Sequence, residues 1–375
     1  MANDCTLLVD GLRYGGWQDI SIQRGLEQVA GQFSLQVTER WPGQEQPRPL
    51  QPGQAATLLI DGEAVLTGWL EEVQPGFEAS RCWLNVGGRD RTADLIDCSA
   101  VFRSGQWKGS SLQRIAEDLL APFGITVQVG PLAAARAAAV LASFSIEEGE
   151  KVFDTLERAA RLQGVMLWTD GLGRLLIDLP GSRRAEVALV EGLNLLRAEA
   201  RWRSNERFSE YIVKGQARGQ PHGRGTARDG GVQRYRPLII LAEDQAQGPT
   251  AERRAAWECT VRMGRSRRCT VRVQGWRQHG GHGPLWQPGL RVVLDSPRLQ
   301  LMAELLIVSV RYLKNAQDGT LCELELADPR AFDLLSGVRA APLRKARRGD
   351  KGLLAGPRPA AARTGKREGG KEDLL

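Results

Sequence analysis

The sequence predicts a mainly β protein with an α/β insert, in which two similar β-barrel domains flank a small helical module. Three observations predict this. The first hundred residues alternate apolar and polar positions with period two between turn dipeptides. The middle changes to helical periodicity. The landmarks of the first region then recur, in the same order, in the last region.

Residues 1–100 read as the first barrel. Thr6–Val9 is apolar and Asp10-Gly11 turns the chain. Ile20–Arg24 and Phe33–Thr38 alternate in and out. Gln51-Pro52-Gly53 leads into Ala55–Ile60, and Asp61-Gly62 closes a tight hairpin onto Val65–Val73. Cys82–Val86 completes the set, and Arg91–Ile96 begins a short helix.

Residues 101–185 read as the inserted α/β module. Ser110 and Ser111 are helix caps for Leu112–Leu120, whose Leu112, Ile115, Ala116, Leu119 and Leu120 share one face. Pro122 and Gly124 end that helix, and Ile125–Val129 is a strand. A second helix covers Val152–Leu162 and stops at Gly164. Val165–Trp168 and Leu175–Ile177 pair around the turn at Asp170-Gly171-Leu172-Gly173.

Residues 186–335 read as the second barrel. Its expected strands are Tyr211–Lys214, Trp257–Arg262, Cys269–Gln274, Leu290–Leu294, Leu305–Val310 and Leu321–Leu326. The Gly/Arg-rich stretch Gly215–Gln233 reads as a long mobile loop, and Arg265-Ser266-Arg267-Arg268 as a hairpin tip. Residues 336–375 are rich in Arg, Ala, Gly, Pro and Lys and read as a basic flexible tail.

The repeat fixes the relation between the barrels. Gln51-Pro52-Gly53 and Gln287-Pro288-Gly289 each precede two strands. Trp41 and Trp276 lie eleven and twelve residues before the respective proline. Downstream, Arg91-Thr92-Ala93-Asp94-Leu95 matches Arg330-Ala331-Phe332-Asp333-Leu334, with proline-to-aspartate separations of 42 and 45 residues. Three landmarks in one order at near-equal spacing indicate a duplication. Three copies of such a chain present six similar units, so a trimer can match a hexameric partner.

The formal net charge is +7, and residues 336–375 carry eleven Lys/Arg against four Asp/Glu, so the tail accounts for all of it. Residues 1–335 sum to zero, which argues against a basic face on the body. The six cysteines form no CxxC pair and read as buried reduced thiols. The N-terminus lacks a signal-peptide pattern, and no apolar run is long enough to span a membrane. The catalytic inventory is poor. His222, His279 and His282 are the only histidines, and residues 101–185 contain neither His nor Cys. The adjacent pairs Glu71-Glu72 and Glu147-Glu148 read as solvated charge, because strand neighbours point to opposite faces. No cofactor or metal is expected. Ten tryptophans point to packing and interfaces. The candidate interface residues are Trp276 and Trp286, together with Arg344, Lys345, Arg347 and Arg348 in the tail.

Tyr235-Arg236-Pro237-Leu238-Ile239-Ile240, Gly275-Trp276, Leu285-Trp286-Gln287-Pro288-Gly289 and Gly192-Leu193-Asn194-Leu195-Leu196 together resemble the Mu-like phage tail protein P family. These are contractile-tail baseplate hub proteins, distantly similar to the T4 hub. The likeness covers about residues 1–335. It implies tube-type barrels in a ring-forming homotrimer, with no catalytic residues. It also implies a structural role in the virion, with assembly in the host cytoplasm. The implied partners are the tail tube, the central membrane-piercing spike, baseplate wedge proteins and the tape measure protein. Genome DNA would pass through the axial channel without sequence-specific binding. The competing readings are a tail-tip cell-wall hydrolase and a nucleic-acid-binding module acting through the tail.

Overall fold

The computed structural model describes residues 4–38, 50–79, 81–215, 224–242 and 251–334. Trp41, His222 and the whole tail, with Arg344, Lys345, Arg347 and Arg348, lie outside the described residues. The first β region comprises β1 (Cys5–Val9), β2 (Leu12–Tyr14), β3 (Asp19–Gly25), β4 (Gln32–Thr38), β5 (Ala55–Ile60), β6 (Glu63–Glu78) and β7 (Arg81–Asp90). After α1 (Ala93–Asp97), the insert contains β8 (Gln106–Ser111), α2 (Leu112–Leu120), β9 (Val127–Val129), α3 (Ala134–Ala137), β10 (Val140–Ser145), α4 (Val152–Gln163), β11 (Met166–Thr169) and β12 (Leu175–Asp178). The remainder supplies β13 (Arg183–Arg184), β14 (Leu189–Val190), β15 (Arg197–Trp202), β16 (Glu210–Gly215), β17 (Arg224–Arg228), β18 (Pro237–Ala242), α5 (Ala251–Arg265), β19 (Arg267–Gln274), β20 (Leu290–Ser296), β21 (Leu301–Asn315) and β22 (Gly319–Ala327).

The two β regions repeat one five-strand unit. In the first the hydrogen-bonded order is β3-β4-β7-β6-β5; in the second it is β15-β19-β22-β21-β20, antiparallel throughout. Details repeat with the order. The Gly53 amide donates to the Leu70 carbonyl and the Gly289 amide to Ile307. Both glycines follow a Gln-Pro pair and have positive φ, +89° and +86°. Just past each acceptor the long strand bulges, between Leu70 and Glu72 and between Ile307 and Ser309. Each unit also ends on a fully buried aspartate, Asp90 or Asp328, whose carboxylate accepts the amide two residues on.

The mainly β character with a helical insert is as the sequence predicts, but the closure of two separate barrels is not. The strand path runs open from β15 to β2, because β3 spends its second edge on β21 instead of closing its own unit. Leu306 pairs with both β20 and β22, so β20 and β3 lie end to end along one edge of β21. The two units share one core, in which Leu7, Ile22, Leu35 and Leu58 of the first join Val271, Trp276, Leu294 and Leu324 of the second.

Two modules ride on this sheet. The insert has its own core, built on the buried face of α2 (Leu112, Ile115, Ala116, Leu119, Leu120) against Val152, Leu156, Ala159 and Ala160 of α4. Ser111 caps α2 by accepting the Arg114 amide, and Gly164 ends α4 at φ +65°. The second module was missed by sequence reading. Trp257–Arg262, expected as a strand, lies in helix α5. Buried Ala255, Glu258, Cys259 and Val261 follow helical spacing, and Arg254–Glu258–Arg262 form an i,i+4 ion-pair ladder. A six-residue apolar window cannot distinguish the two periods. Arg265–Arg268 is accordingly a helix end running into β19, not a hairpin tip. Within the expected loop Gly215–Gln233, residues 224–228 form β17, and 216–223 lie outside the described residues. The order β17-β16-β18 lays a small sheet against α5.

Candidate functional site

The predicted interface tryptophans are core residues. Trp276 is 0% and Trp286 1% exposed, so neither offers surface to a partner in this fold. The Trp276 indole N–H donates to the Leu313 carbonyl at 3.0 Å, and its ring meets Tyr312 edge-on at 6.3 Å. Tyr312 in turn donates to the Trp286 carbonyl. Burial pushes the Tyr312 phenol above its usual value. These rings fill the space between β21 and the Gly275–Gly289 connection. Turn glycines and flanking tryptophans were visible in sequence, but whether the rings face the core or a neighbour was not.

Potentially reactive groups are scattered. His279 Nε2 lies 3.0 Å from Glu186 on the surface, and the His279 amide donates to the His282 carbonyl within one turn. Among the described residues, no cluster of three His, Cys, Asp or Glu could hold a metal ion. Cys5, Cys259, Cys269 and Cys322 are buried, Cys82 is half-buried, and Cys98 is exposed, against the expectation of burial for all six. Burial raises the Cys5 thiol to about 12 and Cys259 and Cys269 to about 11, which leaves them protonated and unreactive.

A buried polar latch ties the insert to the sheet. The Asp90 carboxylate accepts from the Thr92 amide and hydroxyl and, at 2.7 Å, from the Thr169 hydroxyl of β11. The Arg24 guanidinium reaches across to the Asp170 carbonyl. Gly171 fits beneath it at φ +82°; a Cβ there would sit 2.4 Å from the Val65 carbonyl oxygen. Burial raises the Asp90 pKa, with the threonine hydrogen bonds and Arg24 opposing.

Charge is divided unevenly along the chain. Residues 1–90 hold 6 Lys/Arg and 12 Asp/Glu, whereas residues 197–272 hold 17 and 8. The neutral sum of the body therefore conceals an acidic first unit and a basic stretch in the second. On the outer face of β15, β19 and β22, Arg and Glu alternate around a groove of about 640 Å³ that includes Arg201, Arg203, Arg265 and Glu323. Arg272–Glu323 and Arg268–Glu325 bridge adjacent strands there.

Within the two repeated units, two strand edges stay unpaired among the described residues. β15 bonds only to β19, and the distal half of β6, residues 72–78, bonds only to β7. Neither residues 71–78 of β6 nor any residue of β15 is buried, and Phe77 and Trp202 stand 84% and 57% exposed. Open edges of this kind offer unpaired backbone donors and acceptors that another strand can use.

The chain presents a sheet of duplicated units with open edges and, among the described residues, no helix long and apolar enough to cross a membrane, and comparison with known proteins places it in the phage-tail class. Family models agree along most of the chain. Residues 4–90 match the Mu phage baseplate assembly protein GpP-like N-terminal domain, 92–178 the second domain of baseplate hub protein gp44-like proteins, and 248–335 the fourth domain of GpP. The baseplate hub protein gp44 of Escherichia phage Mu is 36% identical over 345 residues, 88% of this chain and 89% of that protein. The 43 kDa tail protein of prophage MuSo2 from Shewanella oneidensis superposes with a TM-score of 0.78 at 33% identity, covering 88% of this chain and 99% of that one. A tail protein from Neisseria meningitidis MC58 shares the fold, with a TM-score of 0.74 at 23% identity over 89% and 99% of the two chains. The chain belongs to the Mu phage baseplate hub family. It is a virion structural protein of a Mu-like tail and not an enzyme.

Proposed function

We propose that three copies form a closed ring on the tail axis, joining the tail tube on one side to the central membrane-piercing spike on the other. The supporting observation is the repeated five-strand unit: two units per chain make six similar units in a trimer, which suits a hexameric tube. Wedge proteins surround the ring, and the tape measure protein and genome DNA occupy its channel without sequence-specific contacts. The tail is contractile, and the hub assembles in the host cytoplasm. The arm 336–375, with Arg344, Lys345, Arg347 and Arg348, reaches an acidic protein surface and speeds docking through its charge.

Native mass spectrometry of the full chain, with cryo-electron microscopy of the assembly, tests the ring. A trimer around an axial pore is expected. A monomer at high concentration, alone and with its neighbouring gene products, overturns it. For the arm, truncation after Gly337 should leave folding and trimer mass intact while tail assembly falls, most clearly at low salt, where the arm's charge is least screened. Aggregation of the truncated chain, or full infectivity, removes the arm from the reading.

A further inference from the structure

The two open edges occupy equivalent positions in the repeat, and the chain already contains the contact that would fill them. Aligning the units on the shared bulge places Leu70 with Ile307, so Glu72 to Phe77 of β6 correspond to Ser309 to Lys314 of β21. Following the ladders inward, Ile20 to Gly25 in and beyond the β3 register correspond to Ala198 to Arg203 at β15. Within the chain, β21 pairs antiparallel with β3, from Ser309 opposite Gly25 to Lys314 opposite Ile20. The counterparts of these two edges, on β6 and β15, have no partner among the described residues.

We infer that β6 of one copy pairs antiparallel with β15 of the next, in the register that β21 and β3 use inside the chain. This inference rests on the ring proposed above and names the strands that close it. A second copy is the only occupant that repeats a contact the fold has already built, so every unit in the ring would meet its neighbour in the same way. The register sets Glu72 opposite Arg203, Val73 opposite Trp202, Gln74 opposite Arg201 and Phe77 opposite Ala198. A carboxylate thus meets a guanidinium, and each exposed aromatic ring, Trp202 and Phe77, meets a half-buried apolar side chain, Val73 and Ala198. Neither Glu72 nor Arg203 has an ion-pair partner among the described residues. The wider charge division agrees, because the acidic first unit of one copy would face the basic stretch of the next. Pro75 supplies no amide donor, which suits an edge strand and costs the new ladder at most one bond.

Cysteine pairing tests the register. In a Cys98→Ser background, Val73→Cys with Trp202→Cys should give a covalent trimer under mild oxidation, since directly opposed antiparallel residues lie within disulfide reach. The control Val73→Cys with Ala200→Cys, shifted by two residues, should link at least about tenfold more slowly. A charge swap gives a second readout for variants that fold poorly. Glu72→Arg or Arg203→Glu alone should move the native mass from trimer towards monomer at low salt, and the two together should restore it. If wild type is a trimer but the control links faster, or the swap fails to restore mass lost by the single changes, this pairing is wrong and the ring survives. If wild type is monomeric, the ring itself fails.

Discussion

The two modules carried by the sheet are held by different forces. The core of the insert gathers twenty buried apolar residues, including Leu112, Ile115, Leu156 and Leu175, with Val29 and Leu95 contributed from outside the insert, and it is joined to the sheet through the threonine bonds of Asp90 and the reach of Arg24. The α5 module has a small core cluster of four buried residues, Tyr211, Val213, Ala255 and Cys259, and depends more on charge. There the Arg207 guanidinium grips Asp229 with two bonds of 2.7 and 2.8 Å, and Arg330 grips Asp328 beside the helix. Burial acts on both carboxylates, with opposite outcomes. At Asp90 it prevails and raises the pKa. At Asp229 burial also pushes upward, but the Arg207 guanidinium and the Gly231 amide outweigh it and hold the group below the usual carboxylate value. The contrast teaches that an Arg-rich segment with little apolar content can still be ordered, provided its few carboxylates are enclosed and paired.

The largest expected effect strikes the charged module. Arg207→Ala leaves a buried carboxylate unpaired and should cost about 3–5 kcal/mol. Hydrogen exchange should show opening of β16–β18 and α5 while α2 and α4 stay protected; equal protection of both modules would sink the distinction. Leu156→Ala is the converse. A fully buried leucine is removed from the insert core, and the cavity should cost about 3 kcal/mol. The loss should appear as lowered protection in α2 and α4, with the α5 module unchanged.

Acidity should separate the modules more gently. Asp90 has a raised folded-state pKa, so between the ordinary value and the raised one the native chain holds a proton that the unfolded chain releases. Its contribution to stability is full below that window and is lost as pH rises through it. Asp229 has a lowered pKa, so its contribution is present above the ordinary value and is lost as pH falls towards the lowered one. In unfolding titrations, Asp90→Asn should gain on wild type as pH rises, and the deficit of Asp229→Asn should shrink on acidification. Parallel slopes would contradict the assignment. The smallest effect is Ser111→Ala, which removes the α2 cap bond to the Arg114 amide and should cost about 1 kcal/mol. Thermal melts should resolve it, and a loss above about 2 kcal/mol would mean that Ser111 does more than cap.

Legibility followed the strength of local periodicity. Helices α2 and α4 were readable because each presents a full apolar stripe, which follows the Ser111 cap in α2 and ends at the Gly164 stop in α4. Helix α5 was not. Its buried face mixes Ala255, Cys259 and Val261 with Glu258, and the ion-pair ladder that stabilises it is a tertiary reading of residues that look like loop charge. The strands of the first unit and β19 to β22 of the second were visible as alternation, whereas β15 was not among the expected strands. The repeat was visible because a Gln-Pro-Gly turn needs its glycine at positive φ.

The sequence by itself determined the mainly β class, the helical insert and the recurrence of one unit, since these rest on local period and turn chemistry. The charge division between residues 1–90 and 197–272 also stands in the sequence, although a sum over the whole body conceals it. Only the tertiary structure decided that β3 joins β21, so that the two units share one core and do not close separately. It alone turned Trp276 and Trp286 inward, and it alone left the edges of β6 and β15 open among the described residues. The physical reason is that a strand's pattern specifies which face is buried, while its backbone offers the same donors and acceptors along either edge. Which strand takes that edge is settled by packing across the whole sheet.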